Sequence, residues 1–127
     1  MASAIRGKRG QRLLVDLLAA LDAMPVKALI VGDLVTADGE VCALGALGRA
    51  KGMNMAAIDS ADPPQVASAF DIAESLAQEI MFMNDEYFEG RWDEQLRKTV
   101  PMTDEERWVS MRAWVAANIK SQSTVTQ

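Results

Sequence analysis

The 127-residue chain contains no histidine. That removes from within the chain a Ser-His-Asp triad, a Cys-His dyad and every histidine-ligated metal site. Its one cysteine, Cys42, has no partner for an internal disulfide and too few companions for a thiolate zinc site. A papain-like role for Cys42 lacks its usual base. Aromatics make up only 6% of the residues, so Leu, Ala, Val, Ile and eight Met must supply most of the core. Methionine fills irregular gaps well but specifies them loosely. No stretch approaches the roughly 20 apolar residues of a spanning helix. Asp16 and Asp22 interrupt the Leu-rich run that would otherwise serve as the apolar part of a signal peptide. A cytoplasmic protein is expected.

What is present fits one compact domain of ordinary globular composition. The net charge of −5 hides an asymmetry. Residues 1–12 carry Arg6, Lys8, Arg9 and Arg12 and no acid, while the rest of the chain holds nine basic against eighteen acidic residues. An acidic body argues against binding a phosphate backbone, which needs a basic footprint. The basic start reads either as a nucleic-acid or membrane-surface arm or as a solvated terminus. Residues 1–11 are expected as a flexible basic arm, 12–120 as a single globular domain and 121–127 as a disordered tail.

Leu13, Leu14, Leu17, Leu18, Leu21 and Met24 share one helical face, and Pro25 stops that helix. Residues 27–36, KALIVGDLVT, read as a strand with Gly32 as a bulge. Asp38-Gly39 then reads as a two-residue hairpin turn. That register sets Cys42 across from Val35 and Val41 across from Thr36. Ala43 to Lys51 reads as a short helix closed by Gly52, and its Gly45 and Gly48 imply close backbone approach to a neighbour. A helix-turn-helix reading of this region fails for want of a basic second helix.

Asp62-Pro63-Pro64 starts a helix that ends at Phe70, and Asp71 with Glu74 reads as a variant capping box for the next. Ile72, Leu76, Ile80 and Met83 make that helix's stripe, with Glu79 at its edge. Residues 85–102 read as an irregular loop with one helical turn at Gln95 to Lys98. Thr103 and Glu106 form a capping box for a last helix reaching about Lys120, with Trp108, Met111, Val115 and Ile119 inward. The expected fold is α+β, mainly α, with one short β-hairpin packed against three or four helices.

Candidate chemistry is sparse. Asn84, Asp85 and Glu86, with Glu79 and Glu89 nearby, have the carboxylate density of an oxygen-ligand metal site but no EF-hand spacing. They read instead as a solvated helix end, and no metal or cofactor is expected. Cys42 reads as buried and inert, although the start of the following helix would favour a thiolate. Glu79 and Arg112, both on stripe edges, are expected to form a partly buried ion pair linking two helices. Tyr87, Trp92 and Trp114 are the candidate partner surface, since aromatics dominate binding hot spots.

The segments DGEVCALGAL, FDIAESLAQEIMFMNDE and TDEERWVSMRAWV resemble those of small uncharacterised bacterial and phage proteins. These share a DG-x-x-C-x-x-GA segment, a later Asn-Asp and a final helix containing Arg-Trp. The resemblance covers roughly residues 30–120. It implies that Cys42, Gly45, Ala46, Asn84, Asp85 and Arg107 matter together, and it implies no activity. The function expected is a small non-enzymatic protein-interaction factor, of the kind a phage or prophage directs at a host protein. Alternatives are a ligand-binding or enzymatic domain around Cys42, Asn84 and Asp85, and an acidic nucleic-acid mimic. The expected partner is a protein. A homodimer is compatible with the Met and Trp surplus, no membrane is expected, and nucleic acid only through the basic residues 1–12.

Overall fold

The computed structural model describes residues 5–87 and 91–120. Five α-helices of eight residues or more run through them: α1 Lys8–Ala23, α2 Ala43–Ala50, α3 Pro63–Phe70, α4 Glu74–Phe82 and α5 Asp104–Asn118. One 3-10 turn, Met55–Ala57, precedes α3, and α4 runs on into a π-helical turn, Met83–Tyr87. Two strands, β1 Arg91–Asp93 and β2 Lys98–Val100, pair antiparallel with Trp92 opposite Thr99. The fold is α+β and mainly helical. Among the described residues no helix is long and apolar enough to cross a membrane.

Helix α1 buries Leu13, Leu14, Leu17 and Leu21, the face that the leucine spacing predicts. It starts at Lys8, so residues 8–11, expected within the flexible arm, are helical. The cause is burial just before and within that segment. Ile5 and Gly10 are buried, and the Gln11 amide donates to the carbonyls of Ile5 (2.7 Å) and Asn118 (3.0 Å), tying α1 to the end of α5. Residues 1–4 and the expected tail at 121–127 lie outside the described residues. At its other end α1 is closed by Lys27, whose ammonium donates to the carbonyls of Asp22 and Met24 and sits 5.6 Å from the Trp108 ring centroid. The Trp108 indole N–H donates to the Leu21 carbonyl at 3.1 Å.

The expected hairpin over 27–42 shrinks to a single bridge, Val35 to Val41. Its register is one residue away from the two-residue turn. Thr36 N–H donates to Glu40 O (2.9 Å) and Gly39 N–H to Thr36 O (2.9 Å), so the loop is Ala37-Asp38-Gly39. Only Gly39 adopts positive φ there, +85°. A two-residue type I′ turn needs positive φ at both central residues, and Asp38 does not supply it. Upstream, residues 29–32 form no strand: Ile30 N–H reaches Val41 O at 2.9 Å, but Gly32 turns to positive φ (+89°) and the other backbone groups bond elsewhere. Leu29 N–H donates to Asp104 O, Leu29 O accepts from Arg107, Ile30 O accepts from Asn84, and Gly32 N–H donates to Asp85.

Three further elements depart from expectation. Asp71 is the left-handed C-cap of α3 (φ 56°), not the N-cap of α4, and its carboxylate pairs with Arg9 at 3.1 Å. The hairpin of the protein lies at 91–100, where an irregular loop with a helical turn is expected. Asp93 organises its turn, accepting Leu96 N–H on its side chain (2.9 Å) and Arg97 N–H on its carbonyl (2.7 Å). In α5 the capping box of Thr103 and Glu106 forms in both directions. The buried stripe there is Arg107, Met111 and Val115, while Trp108 is half-buried.

Candidate functional site

Cys42, Asn84 and Asp85 come together. Cys42 is the N-cap of α2, its Sγ accepting Gly45 N–H at 3.4 Å, a role in which serine would be more usual. Asn84, in the π-helical turn, is buried (2% exposed). Its Oδ1 accepts Ala43 N–H at 3.0 Å, and its Nδ2 donates to Ile30 O at 2.9 Å and to Asp85 Oδ1 at 2.7 Å. Asp85 Oδ1 also accepts Gly32 N–H at 3.2 Å. One side-chain pair therefore joins the first turn of α2, the irregular 30–32 segment and the end of α4.

The chemistry open to this cluster is narrow. Burial pushes the Cys42 thiol up to about 11, the nearby Asp85 charge adds to the rise, and the Gly45 N–H offsets part of it. At neutral pH only about one molecule in ten thousand carries the thiolate. Cys42, Gly32, Asn84 and Asp85 border a cavity of about 10 Å³, which has room for one water at most and for no organic substrate. Asn84 spends its oxygen and its amide, and Asp85 its Oδ1, on backbone groups and on each other. Among the described residues no group of three or more His, Cys, Asp or Glu is placed to hold a metal ion. The side chains of Glu86 and Tyr87, and Glu89 entirely, lie outside the described residues.

The expected Glu79–Arg112 pair does not form. Arg112 faces α1, and its guanidinium grips Asp22 through two bonds of 2.5 and 3.0 Å. That bond holds the Asp22 carboxyl below the usual carboxylate range and raises Arg112. Both groups are substantially exposed, so solvent and salt screen the pair. Glu79 Oε1 is buried with no hydrogen-bond partner among the described residues.

Arg107 enters the sequence reading only through the resemblance. It is nonetheless a main support of the site's frame. Its Nη1 donates to Leu29 O and Asp104 Oδ1, both at 3.0 Å, and Nη2 reaches Met102 O at 3.4 Å. The spacing of Arg107, Met111 and Val115 at successive fourth positions is the signal that places it inward. Of the candidate partner surface, Trp114 is half-buried against the core. Trp92 is 57% exposed, as Leu96 is at 58%.

Two open depressions lie elsewhere on the described surface. One, of about 220 Å³, has Met24, Ile30 and Val41 in its walls and Asp38 and Glu40 at its rim. The other, of about 230 Å³, runs beside α1, where Arg9 pairs with Asp71 and Lys51 with Asp16. No protein-family model, no curated protein and no solved structure matches the chain.

Proposed function

We propose that the chain is a small non-enzymatic protein-interaction factor that meets its partner through the 91–100 hairpin. The observation that carries this reading is the hairpin itself: no side chain from Trp92 to Val100 is buried, and Trp92 and Leu96 stand more than half exposed. A large aromatic held at a hairpin edge supplies contact area at low cost in conformational entropy. The Trp92 indole N–H donates to Glu94 Oε1 at 3.0 Å, which leaves the ring faces open. By contrast, the polar residues around Cys42 are engaged with backbone and leave little for catalysis.

The resemblance to small bacterial and phage proteins supports a bacterial host protein as the partner. The test is affinity capture from bacterial lysate with wild type, Trp92→Ala and Trp114→Ala, each first shown to melt as wild type does. Loss of a specific captured protein with Trp92→Ala, and its retention with Trp114→Ala, is the expected outcome. Capture unchanged by Trp92→Ala would overturn the reading.

A further inference from the structure

A two-stranded hairpin of three-residue strands is marginal in water on its own. Here no described side chain of the hairpin is buried, and the sheet has no third strand among the described residues. Its strands therefore present edges that can accept another strand. The composition of β1 states which one. It reads Arg91-Trp92-Asp93, a basic, an aromatic and an acidic residue in that order.

We infer that a second copy of this chain pairs with β1 across a two-fold axis at Trp92, making a four-stranded antiparallel sheet. In that register residue 91 of each copy stands opposite residue 93 of the other, so arginine meets aspartate twice. Trp92 stands opposite its own symmetry mate. Opposite charges and aromatic pairs directly across a ladder are the favourable combinations, and a two-fold interface requires this kind of self-complementarity. Strand β2 offers no such match, since an axis through Thr99 sets Lys98 opposite Val100. The inference rests on the hairpin being the interaction surface. It adds that the edge takes a second copy, leaving two adjacent Trp92 rings on one face for a host partner. An interface this small gives a weak dimer, with dissociation in roughly the micromolar range or above.

Sedimentation of the full chain over about 1 to 500 μM tests this. A concentration-dependent dimer is expected. Asp93→Arg and Arg91→Asp should each weaken it roughly tenfold or more, because each sets like charges opposite one another twice. The double variant carrying both changes should dimerise roughly tenfold or more tightly than Asp93→Arg, which lacks the same turn cap, because the opposite pairing is restored. Asp93 also caps its own turn, so Arg91→Asp, which leaves that cap intact, separates pairing from turn damage. A monomer at every concentration would overturn the inference, as would weakening by Asp93→Arg alone or a double variant without recovery. If the chain is monomeric while Trp92-dependent capture of a host protein persists, the dimer fails and the interaction reading stands. If the charge swap restores a dimer but capture ignores Trp92, the reverse holds.

Discussion

Replacing Gly45 with alanine would drive a Cβ into the backbone of Leu34. The added atom overlaps the Leu34 carbonyl oxygen, lies 2.7 Å from its carbonyl carbon and 3.1 Å from Val41 Cβ. Carbon atoms in good contact sit about 3.5 to 4.0 Å apart, so α2 and the 34–41 segment would have to separate by about 1 Å or more. That movement runs directly through the polar frame. Cys42 N–H donates to Leu34 O at 3.3 Å, and Ala43 N–H donates to Asn84 Oδ1 at 3.0 Å, both at the end of α2 that must move.

Overpacking of this kind costs about 1–3 kcal/mol. An unsatisfied buried amide adds about 1–3 kcal/mol more. Alanine's better helix propensity returns about 1 kcal/mol, so the net loss is about 3 kcal/mol, the sum of these terms. For a domain of this length that lowers Tm by roughly 10 °C. Gly48→Ala is the comparator in the same helix. Its Cβ meets the Met55 thioether, with Cγ at 3.0 Å and the Phe70 ring at 3.4 Å, and a methionine can turn aside where a carbonyl cannot. That variant should stay within about 1 kcal/mol of wild type. Thermal and urea unfolding followed by far-UV circular dichroism measure both. Gly45→Ala matching or exceeding wild type, or costing less than Gly48→Ala, would refute the close-approach reasoning.

Two other variants probe the same frame. Asn84→Asp replaces the amide donor facing Ile30 O and Asp85 Oδ1 with a carboxylate, and should cost about 3 kcal/mol or more at neutral pH. The new carboxyl has a raised folded pKa, so stability should recover as pH falls through that value; a urea midpoint deficit that is flat from about pH 7 to 4 would contradict this. Cys42, pushed up to about 11, should react with Ellman's reagent far more slowly in the native protein than in urea. Its contribution to stability is present in full below the unfolded thiol pKa of about 8.5 and is lost as pH rises through the folded value. Cys42→Ala should remove that alkaline slope and cost about 1–2 kcal/mol from the lost cap and side-chain volume.

Legibility followed the distance between partners in the chain. The capping box of Thr103 and Glu106, the leucine face of α1 and the left-handed Gly52 (φ 73°) each depend on residues within a turn or two, and all stand where the sequence places them. The close approach implied by Gly45 and Gly48 was equally readable, though not what approaches. Asp38-Gly39 announces a turn without saying whether two or three residues form it, and the register at Val35 hangs on that difference. Residues 27–36 have strand composition, but the side chains that bond Leu29 O, Ile30 O and Gly32 N–H lie 53 to 78 positions away. Arg112 chose Asp22 over Glu79 because α1 lies beside it, a fact of packing that no helical wheel contains. The hairpin at 91–100 has strands too short to show alternation.

The convergence of cysteine, asparagine, aspartate and arginine looks like a reaction centre, and the backbone explains why it need not be one. Successive carbonyls of an extended chain point to opposite sides. Outside a sheet, each side must find its own donor or leave a buried acceptor without one. Leu29 O is met by Arg107 from α5, and the next carbonyl, Ile30 O, by Asn84 from the π-helical turn. Leu29 N–H reaches Asp104 O, Ile30 N–H reaches Val41 O, and Gly32 N–H reaches Asp85. An extended segment threaded through a helical protein thus demands polar side chains of the same types that catalysis uses. Asn84 and the Oδ1 of Asp85 are engaged in this way before any ligand arrives. Among the exposed large apolar side chains, Val26 and Val109 stand singly elsewhere, while Trp92 and Leu96 sit together on the hairpin. That division locates structure at the Cys42 end of α2 and argues for seeking function at the edge of β1.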